Sequence, residues 1–262
     1  MMNLIDRYHG DLAPIRACFP ERSGLRMLFE GEAPDALLFA FLIEFAARGV
    51  AITEPVDGWI RAAGERCRAM DLADLGDRLI RHARSEEGHH RLHVRDVHAL
   101  VHLWNASGRP RLDAQALLAR PAGPAAIDYI DLHRGCIEGD QPYRQVAIER
   151  EIEGLSVSDG SRIVDRVRAR LGAEVVAAMS FLQEHVAVDV GHSAFNERLL
   201  ENLLKVRPDA LEGLVEAGTQ ALTIYGSFIQ ECLESARSLV ASSAGWSSSE
   251  HFAVVPVPST DA

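Results

Sequence analysis

Apolar residues recur three and four positions apart along most of this chain, and no segment shows the strict alternation of a half-buried strand. That repeat gives each helix one apolar stripe, which has to be covered by another helix. Since 47% of the residues are hydrophobic, the chain can fill one large core. We therefore predict an all-α fold, a single bundle of about seven helices.

Proline, glycine and short polar clusters mark where the predicted helices begin and end. The predicted helices span 34–50, 54–70, 72–105, 113–119, 125–139, 143–158, 160–171, 173–205 and 209–242. No linker is long enough to separate two domains. We expect residues 1–33 to pack on the bundle as an N-terminal segment, residues 34–242 to form the helical domain, and residues 243–262 to be a flexible tail.

Charge and composition exclude several classes of partner. The formal net charge of -11 repels phosphate backbones, so we expect no nucleic-acid partner. The most apolar segment, residues 36–52, contains Glu44 and Arg48 and falls short of the roughly 20 apolar residues of a membrane span. The charged start of the chain does not resemble a secretory signal, and the four cysteines form no CxxC pair. These features predict a cytoplasmic protein with no membrane partner.

Ionisable side chains fall inside the apolar stripe of the predicted helix 72–105. His82, Glu86 and His93 share the face that should point into the core, and His89 lies beside it. Burying a carboxylate and several imidazoles costs several kcal/mol unless they pair or bind a metal ion. A metal ion is one economical way to satisfy them together.

The predicted helix 173–205 repeats this pattern. His185, Asp189 and His192 lie at i, i+4 and i+7, so their side chains point the same way within two turns. Two imidazoles and one carboxylate on a single face suit a mid-series divalent ion with positions left open for a substrate or O2.

Glu149 and Glu153 lie one turn apart on the predicted helix 143–158. A glutamate between two histidine-bearing helices is typical of the bridging ligand in a two-metal carboxylate centre. Two other interpretations stay open, a solvated charged surface and a buried hydrogen-bonded network. The absence of clustered cysteines argues against a zinc–thiolate or iron–sulfur site.

Three segments together resemble the haem-oxygenase-like diiron oxidases and oxygenases, a group also called iron-containing redox enzymes. His185-Val-Ala-Val-Asp189-Val-Gly-His192, followed by Ser-Ala-Phe-Asn196, is similar to the HxxxDxxH helix of that family. Ser85-Glu86-Glu87-Gly88-His89 with His93 and Asp96, and Glu153-Gly154, resemble two further family segments. The resemblance spans roughly residues 35–236.

The resemblance implies a seven-helix haem-oxygenase-like bundle with two Fe(II) ions per chain and O2 as co-substrate. It implies that Glu86 and either His89 or His93 bind one iron, that Glu153 bridges, and that His185, Asp189 and His192 surround the other. His93 is favoured over His89 because it lies nearer the centre of the apolar face. Some members add a further glutamate from an early helix, which corresponds here to Glu44. Glu149 is a possible additional ligand by its position one turn before Glu153.

The resemblance implies an O2-activating oxidase or oxygenase that acts on a small metabolite in a biosynthetic pathway, an amine, an amino-acid-like compound or a fatty acid. Candidate substrate contacts are Tyr143, Arg144, Gln145 and Tyr225, for which surface or supporting positions are the alternative. Rival hypotheses are a metal-free or haem-binding bundle and a non-catalytic helical partner-binding protein. A homodimer through the C-terminal helix is a further expectation.

Overall fold

The computed structural model describes residues 3–31 and 33–246, with side chains described as far as residue 242. Within those residues there are ten α-helices of ten or more residues and three of five residues, and no strand. The helices are α1 (Leu4–Arg22), α2 (Leu25–Phe29), α3 (Asp35–Thr53), α4 (Val56–Arg68), α5 (Ala73–Glu86), α6 (His90–Ala106), α7 (Ala114–Leu118), α8 (Pro124–Glu138), α9 (Gln145–Leu155), α10 (Ser161–Arg170), α11 (Ala173–Ala177), α12 (Ser180–Val206) and α13 (Leu211–Trp246). The all-α prediction is confirmed, whereas the expected count of seven helices is not.

The centre of the bundle is α3, which packs against α6 on one side and α13 on the other. Thirteen of its nineteen residues are buried, because it is apolar almost all round. The stretch Asp35–Arg68 is long and apolar enough to cross a membrane by length and composition, and its most apolar 18-residue window has a mean hydropathy of 1.8. However, 72% of that apolar window is buried inside the protein, as in the core helix of a bundle.

The first helix covers one flank of the bundle. It packs against α12 and α13, and it buries Tyr8, Leu12 and Phe19. The Tyr8 hydroxyl donates a hydrogen bond of 2.8 Å to Glu151 on α9. The predicted tail, residues 243–262, lies outside the residues whose side chains are described.

The predicted helix 72–105 is two helices. Gly88 has a φ of 84°, a left-handed conformation that glycine adopts without steric cost, and it separates α5 from α6. Positions on either side of Gly88 therefore do not share one helical face. This break changes where the histidines after it lie.

The predicted helix 173–205 is also interrupted, and its main part, α12, begins at Ser180. The side chain of Asp96 on α6 caps this start from outside the helix. Its Oδ1 accepts from the Ser180 backbone N–H at 2.9 Å and from the Ser180 hydroxyl, and its Oδ2 accepts from the Phe181 backbone N–H at 2.8 Å. Asp96 thus satisfies free N–H groups of α12 and fixes that helix against α6.

Candidate metal centre

Four ligand-type side chains from three helices meet inside the bundle. His82 and Glu86 come from α5, Glu153 from α9 and His192 from α12, and one ligand atom of each lies within 4.8 Å of all the others. His82 Nε2 is 3.0 Å from Glu153 Oε1, and His192 Nδ1 is 3.2 Å from Glu86 Oε1. Three helices that are distant in sequence thus present their carboxylates and imidazoles to one point.

Several atoms of this group lie close to one another without forming a hydrogen bond of acceptable geometry. The unpartnered buried atoms include His82 Nδ1 and Nε2, Glu86 Oε1, Glu153 Oε1 and His192 Nδ1. Buried polar atoms left without hydrogen bonds are costly, and such atoms are retained where an ion or another ligand satisfies them. By donor type and by these unmatched atoms, the residues fit a metal ion.

A second group shares Glu86 with the first and adds His89 and His185. Glu86 Oε2 is 2.9 Å from His89 Nδ1, while its Oε1 faces the first group. His185 Nδ1 lies 2.9 Å from the Phe181 carbonyl oxygen, which can only accept a hydrogen bond. Nδ1 therefore carries the proton, and Nε2 of His185 keeps a free lone pair.

The carboxylate common to both groups is Glu86. Two imidazoles and one carboxylate make up the second group, a donor set typical of non-haem iron. The sequence predicted Glu153 as the bridging ligand, but the structure places Glu86 between the two groups and Glu153 in the first alone. The fold brings Glu86 there because it ends α5, where the chain turns before α6.

Two further residues surround the first group. Asp189 is 1% exposed, and its Oδ1 lies 3.3 Å from His192 Nδ1, while neither of its oxygens has a hydrogen-bond partner. Asn196 Nδ2 donates to Glu153 Oε2 at 2.7 Å. This bond fixes the outer oxygen of Glu153 and directs its Oε1 toward His82.

Charges in the group are strongly coupled. Burial disfavours the charged form of His82, but contacts with Glu153 and Glu86 outweigh it and raise the pKa of His82 to about 10. Contacts with Asp189 and Glu86 raise the pKa of His192 to about 10. Burial opposes ionisation of Glu86, yet the neighbouring imidazoles of His192 and His82 hold its pKa well below its usual range. A metal ion would take the place of the protons on the two imidazoles.

His93, the favoured third-helix ligand, lies apart from both groups. It is 1% exposed and stacks on Phe181 with ring centroids 3.6 Å apart, and it meets Phe45 edge-on at 5.5 Å. Burial lowers its pKa well below the usual value, which keeps the imidazole neutral. The break at Gly88 turns α6, so His89 and not His93 reaches Glu86.

Glu44 also lies outside both groups. It is fully buried, and its carboxylate accepts hydrogen bonds from Arg120 at 2.8 Å and 3.2 Å and from Arg48 at 3.3 Å. Two guanidinium groups already occupy its oxygens. The expectation that Glu44 adds a metal ligand is therefore not supported by its position.

His82 is the group member that the sequence analysis placed on the apolar face but did not name as a ligand. Its spacing of i, i+4 to Glu86 was the available signal, since residues four apart share a helical face. What the spacing alone could not show is that α9 and α12 bring Glu153 and His192 to the same point.

A cavity adjoins the two groups and is lined mainly by apolar side chains. Its polar lining includes Glu86, Glu149, Glu153, His185 and Asp189. The apolar and aromatic lining includes Phe45, Ile52, Val56, Tyr129, Ile152, Phe181, Tyr225 and Phe228. Of the predicted substrate contacts, Tyr225 lines this cavity and Gln145 contacts Glu149, whereas Arg144 pairs with Glu216 at 3.0 Å and Tyr143 is buried outside the lining.

Comparisons with known proteins agree with this geometry. The sequence profile of a family described as iron-containing redox enzymes matches residues 45–226. A crystal structure of a domain of unknown function with a haem oxygenase-like fold, from Shewanella denitrificans OS217, superposes with a TM-score of 0.68 and 16% sequence identity. The superposition covers 97% of this chain and 99% of that one, so the haem oxygenase-like fold is shared over the whole domain. No curated protein sequence matches the chain.

Proposed function

Since this chain belongs to the iron-containing redox enzyme family, we propose that it is a non-haem diiron oxidase or oxygenase that uses O2. The observation that carries the proposal is Glu86, whose two oxygens face two separate groups of ligand-type side chains. One carboxylate with a ligand group on each side is the arrangement that a pair of metal ions requires.

Each ion has its own set of protein ligands in this proposal. His82, His192, Glu153 and Asp189 would hold one Fe(II) ion, His89 and His185 would hold the other, and Glu86 is placed to contribute to both sets. A pair of Fe(II) ions, when bound, would supply two electrons to O2, chemistry that the protein's own side chains cannot supply. The backbone carbonyl of Phe181 keeps His185 in the tautomer that binds metal, and Asn196 orients Glu153.

The cavity walls hold the substrate and exclude water. Phe45, Ile52, Ile152 and Phe228 give the cavity an apolar surface beside the ligands. We propose that the substrate is a small metabolite of a biosynthetic pathway, an amine, an amino-acid-like compound or a fatty acid, and that the enzyme acts in the cytoplasm without a nucleic-acid or membrane partner. A homodimer through α13 stays a prediction.

The test is metal analysis of protein purified without oxygen and reloaded with Fe(II), followed by stopped-flow absorbance on mixing with O2. We expect about two irons per chain and a transient visible band. His192→Ala should lose one iron and the transient. His98 is an exposed histidine on α6, and His98→Ala is the matched control. It should keep two irons per chain and the transient band.

Two outcomes contradict the proposal. Oxygen consumption that is unchanged in His192→Ala would exclude the assigned ligands. A Soret band, or protein that binds no iron, would instead support the rival hypotheses of a haem-binding or metal-free bundle.

A further inference from the structure

One wall of the cavity is a continuous series of aromatic rings. Phe181, which stacks on His185, contacts Phe45 at a centroid distance of 6.3 Å, and Phe45 contacts Phe228 at 6.1 Å. Phe228 then meets Tyr225 at 5.5 Å, and Tyr225 meets Tyr129 at 6.1 Å. Tyr225 and Tyr129 are thus the last two rings of this series.

Glu149 lines the cavity too, and a buried chain of hydrogen bonds holds its carboxyl group. His133 Nδ1 lies 3.0 Å from Gln145 Oε1, and Gln145 Nε2 donates to Glu149 Oε1 at 2.6 Å. His133 and Gln145 are both fully buried, and His133 is stacked on Trp59 with centroids 4.1 Å apart. Because two buried polar side chains fix it, the Glu149 carboxyl has a defined orientation.

Three polar groups in this part of the cavity have no protein partner. Among the described residues, neither Glu149 Oε2 nor the hydroxyl groups of Tyr129 and Tyr225 make a hydrogen bond, although Glu149 is 7% and Tyr129 5% exposed. Unmatched polar groups in a buried pocket are the groups that recognise a ligand. No lysine or arginine is among the described residues that line the cavity.

We infer that Glu149, Tyr129 and Tyr225 form a subsite for the amino group of an otherwise apolar amine, which names the substrate class of the proposed function and rests on it. Burial and the neighbouring Glu153 raise the pKa of the Glu149 carboxyl to about 8. An ammonium group beside Glu149 favours its ionised form, which accepts the ammonium hydrogen bonds, and the faces of the tyrosine rings attract the same cation. The apolar remainder of the ligand lies along Phe228 and Phe45, which line the same cavity.

The same geometry disfavours a carboxylate at this end. A substrate carboxylate would lie against Glu149 with no cationic side chain in the lining to balance it. We therefore expect a fatty acid or amino acid that presents its carboxylate here to bind more weakly than the matching amine. Glu149 thus acts as a specificity-determining residue and not as a metal ligand.

The test is binding to the iron(II)-loaded protein under anaerobic conditions, by calorimetry. The probes are linear alkylamines of increasing length, each with the alkanoate and the alkanol of the same chain length. We expect the best amine to bind at least about tenfold more tightly than its matching alkanoate. Glu149→Gln should lower the affinity for that amine by about tenfold or more and leave the affinity for the alkanol unchanged. Glu138 is an exposed glutamate on α8, and Glu138→Gln should change neither affinity.

Three results would overturn the inference. They are an alkanoate that binds as tightly as the amine, an amine affinity that survives Glu149→Gln, and no binding of any amine. Iron content is measured on every sample, and loss of iron in Glu149→Gln would show that Glu149 is a ligand. Because binding is measured without O2, failure of this inference leaves the iron stoichiometry and O2 test of the proposed function untouched.

Discussion

Glu44 and Glu86 show how the partners of a buried glutamate decide its role. Both lie on apolar helical faces, and both are less than 10% exposed. Arg120 and Arg48 satisfy the oxygens of Glu44, whereas the partners of Glu86 are imidazoles that can also bind a metal. An ion pair between Glu44 and two arginines stabilises the fold, while the histidine contacts of Glu86 can be replaced by a cation.

Glu44→Gln should therefore lower stability without lowering iron content. Removing the carboxylate takes the counterion from Arg120 and leaves Arg48 with only the more distant Glu231, 3.9 Å away. Since both arginines are partly exposed, we expect a loss of roughly 2–3 kcal/mol, below the cost of breaking a fully buried pair. Urea denaturation gives the free energy of unfolding, and metal analysis gives the iron content. A variant that loses iron while its stability is unchanged would make Glu44 a ligand.

The contact between α4 and α5 determines where His82 and Glu86 lie. The two helices approach closely at Gly64 and Gly76, where a Cβ atom added to Gly76 would lie 2.4 Å from the Gly64 carbonyl oxygen. That distance is too short for any side chain, so the backbones can meet only because both residues are glycine. His82 and Glu86, the two candidate ligands on α5, are on the helix whose position this glycine contact fixes.

Gly76→Ala should push α5 away from α4 and disturb the metal site. Overpacking of this kind costs typically about 1–3 kcal/mol, and here it should also weaken iron binding. Thermal unfolding and iron titration measure the two effects. The matched control is Gly58→Ala on α4, where an added Cβ meets no atom within 4 Å. That variant should be as stable as the parent or up to about 1 kcal/mol more stable, since alanine is the better helix former. Equal behaviour of the two variants would contradict the close-contact explanation.

The ligand groups join helices from distant parts of the chain into one unit. Residues of α5, α9 and α12 converge on them, and Asp96 of α6 fixes the start of α12. A ligand that binds the folded but not the unfolded chain stabilises the fold, by about 2.7 kcal/mol at a concentration of 100 times its Kd. The metal would thus hold together helices that the chain connects only through long loops and other helices.

Iron(II) should therefore raise the thermal midpoint of the whole protein, and more at pH 8 than at pH 6. The pKa values of about 10 for His82 and His192 mean that both imidazoles are protonated in the metal-free fold, so protons compete with the metal. Their contacts with Glu86 stabilise the metal-free fold fully below the unfolded pKa near 6.5, and this contribution declines as pH rises toward 10. Weaker competition from protons and a less stable metal-free fold both enlarge the rise in thermal midpoint that the metal causes at higher pH. Anaerobic calorimetry with and without iron measures it, and a shift that is equal or smaller at pH 8 would contradict the assigned ligands.

Helical periodicity and the position of polar groups within it were enough to predict the all-α bundle and to place Glu86, His185, Asp189 and His192 on apolar helical faces. The family resemblance, and not the periodicity, chose Glu153 over Glu149. Such patterns are local, because residues three, four and seven apart share a face whatever the rest of the chain does. The pattern could not choose between His89 and His93, since the choice depends on the direction that the chain takes after Gly88.

The tertiary structure decided the partners of each buried charge. Arg120, which satisfies Glu44, is 76 residues away in sequence, and Glu153, which meets His82, comes from a different helix. Which of two buried carboxylates pairs with arginine and which faces imidazoles depends on how the helices pack. Helix packing is set by long-range contacts such as that of Gly64 with Gly76, which no local spacing specifies.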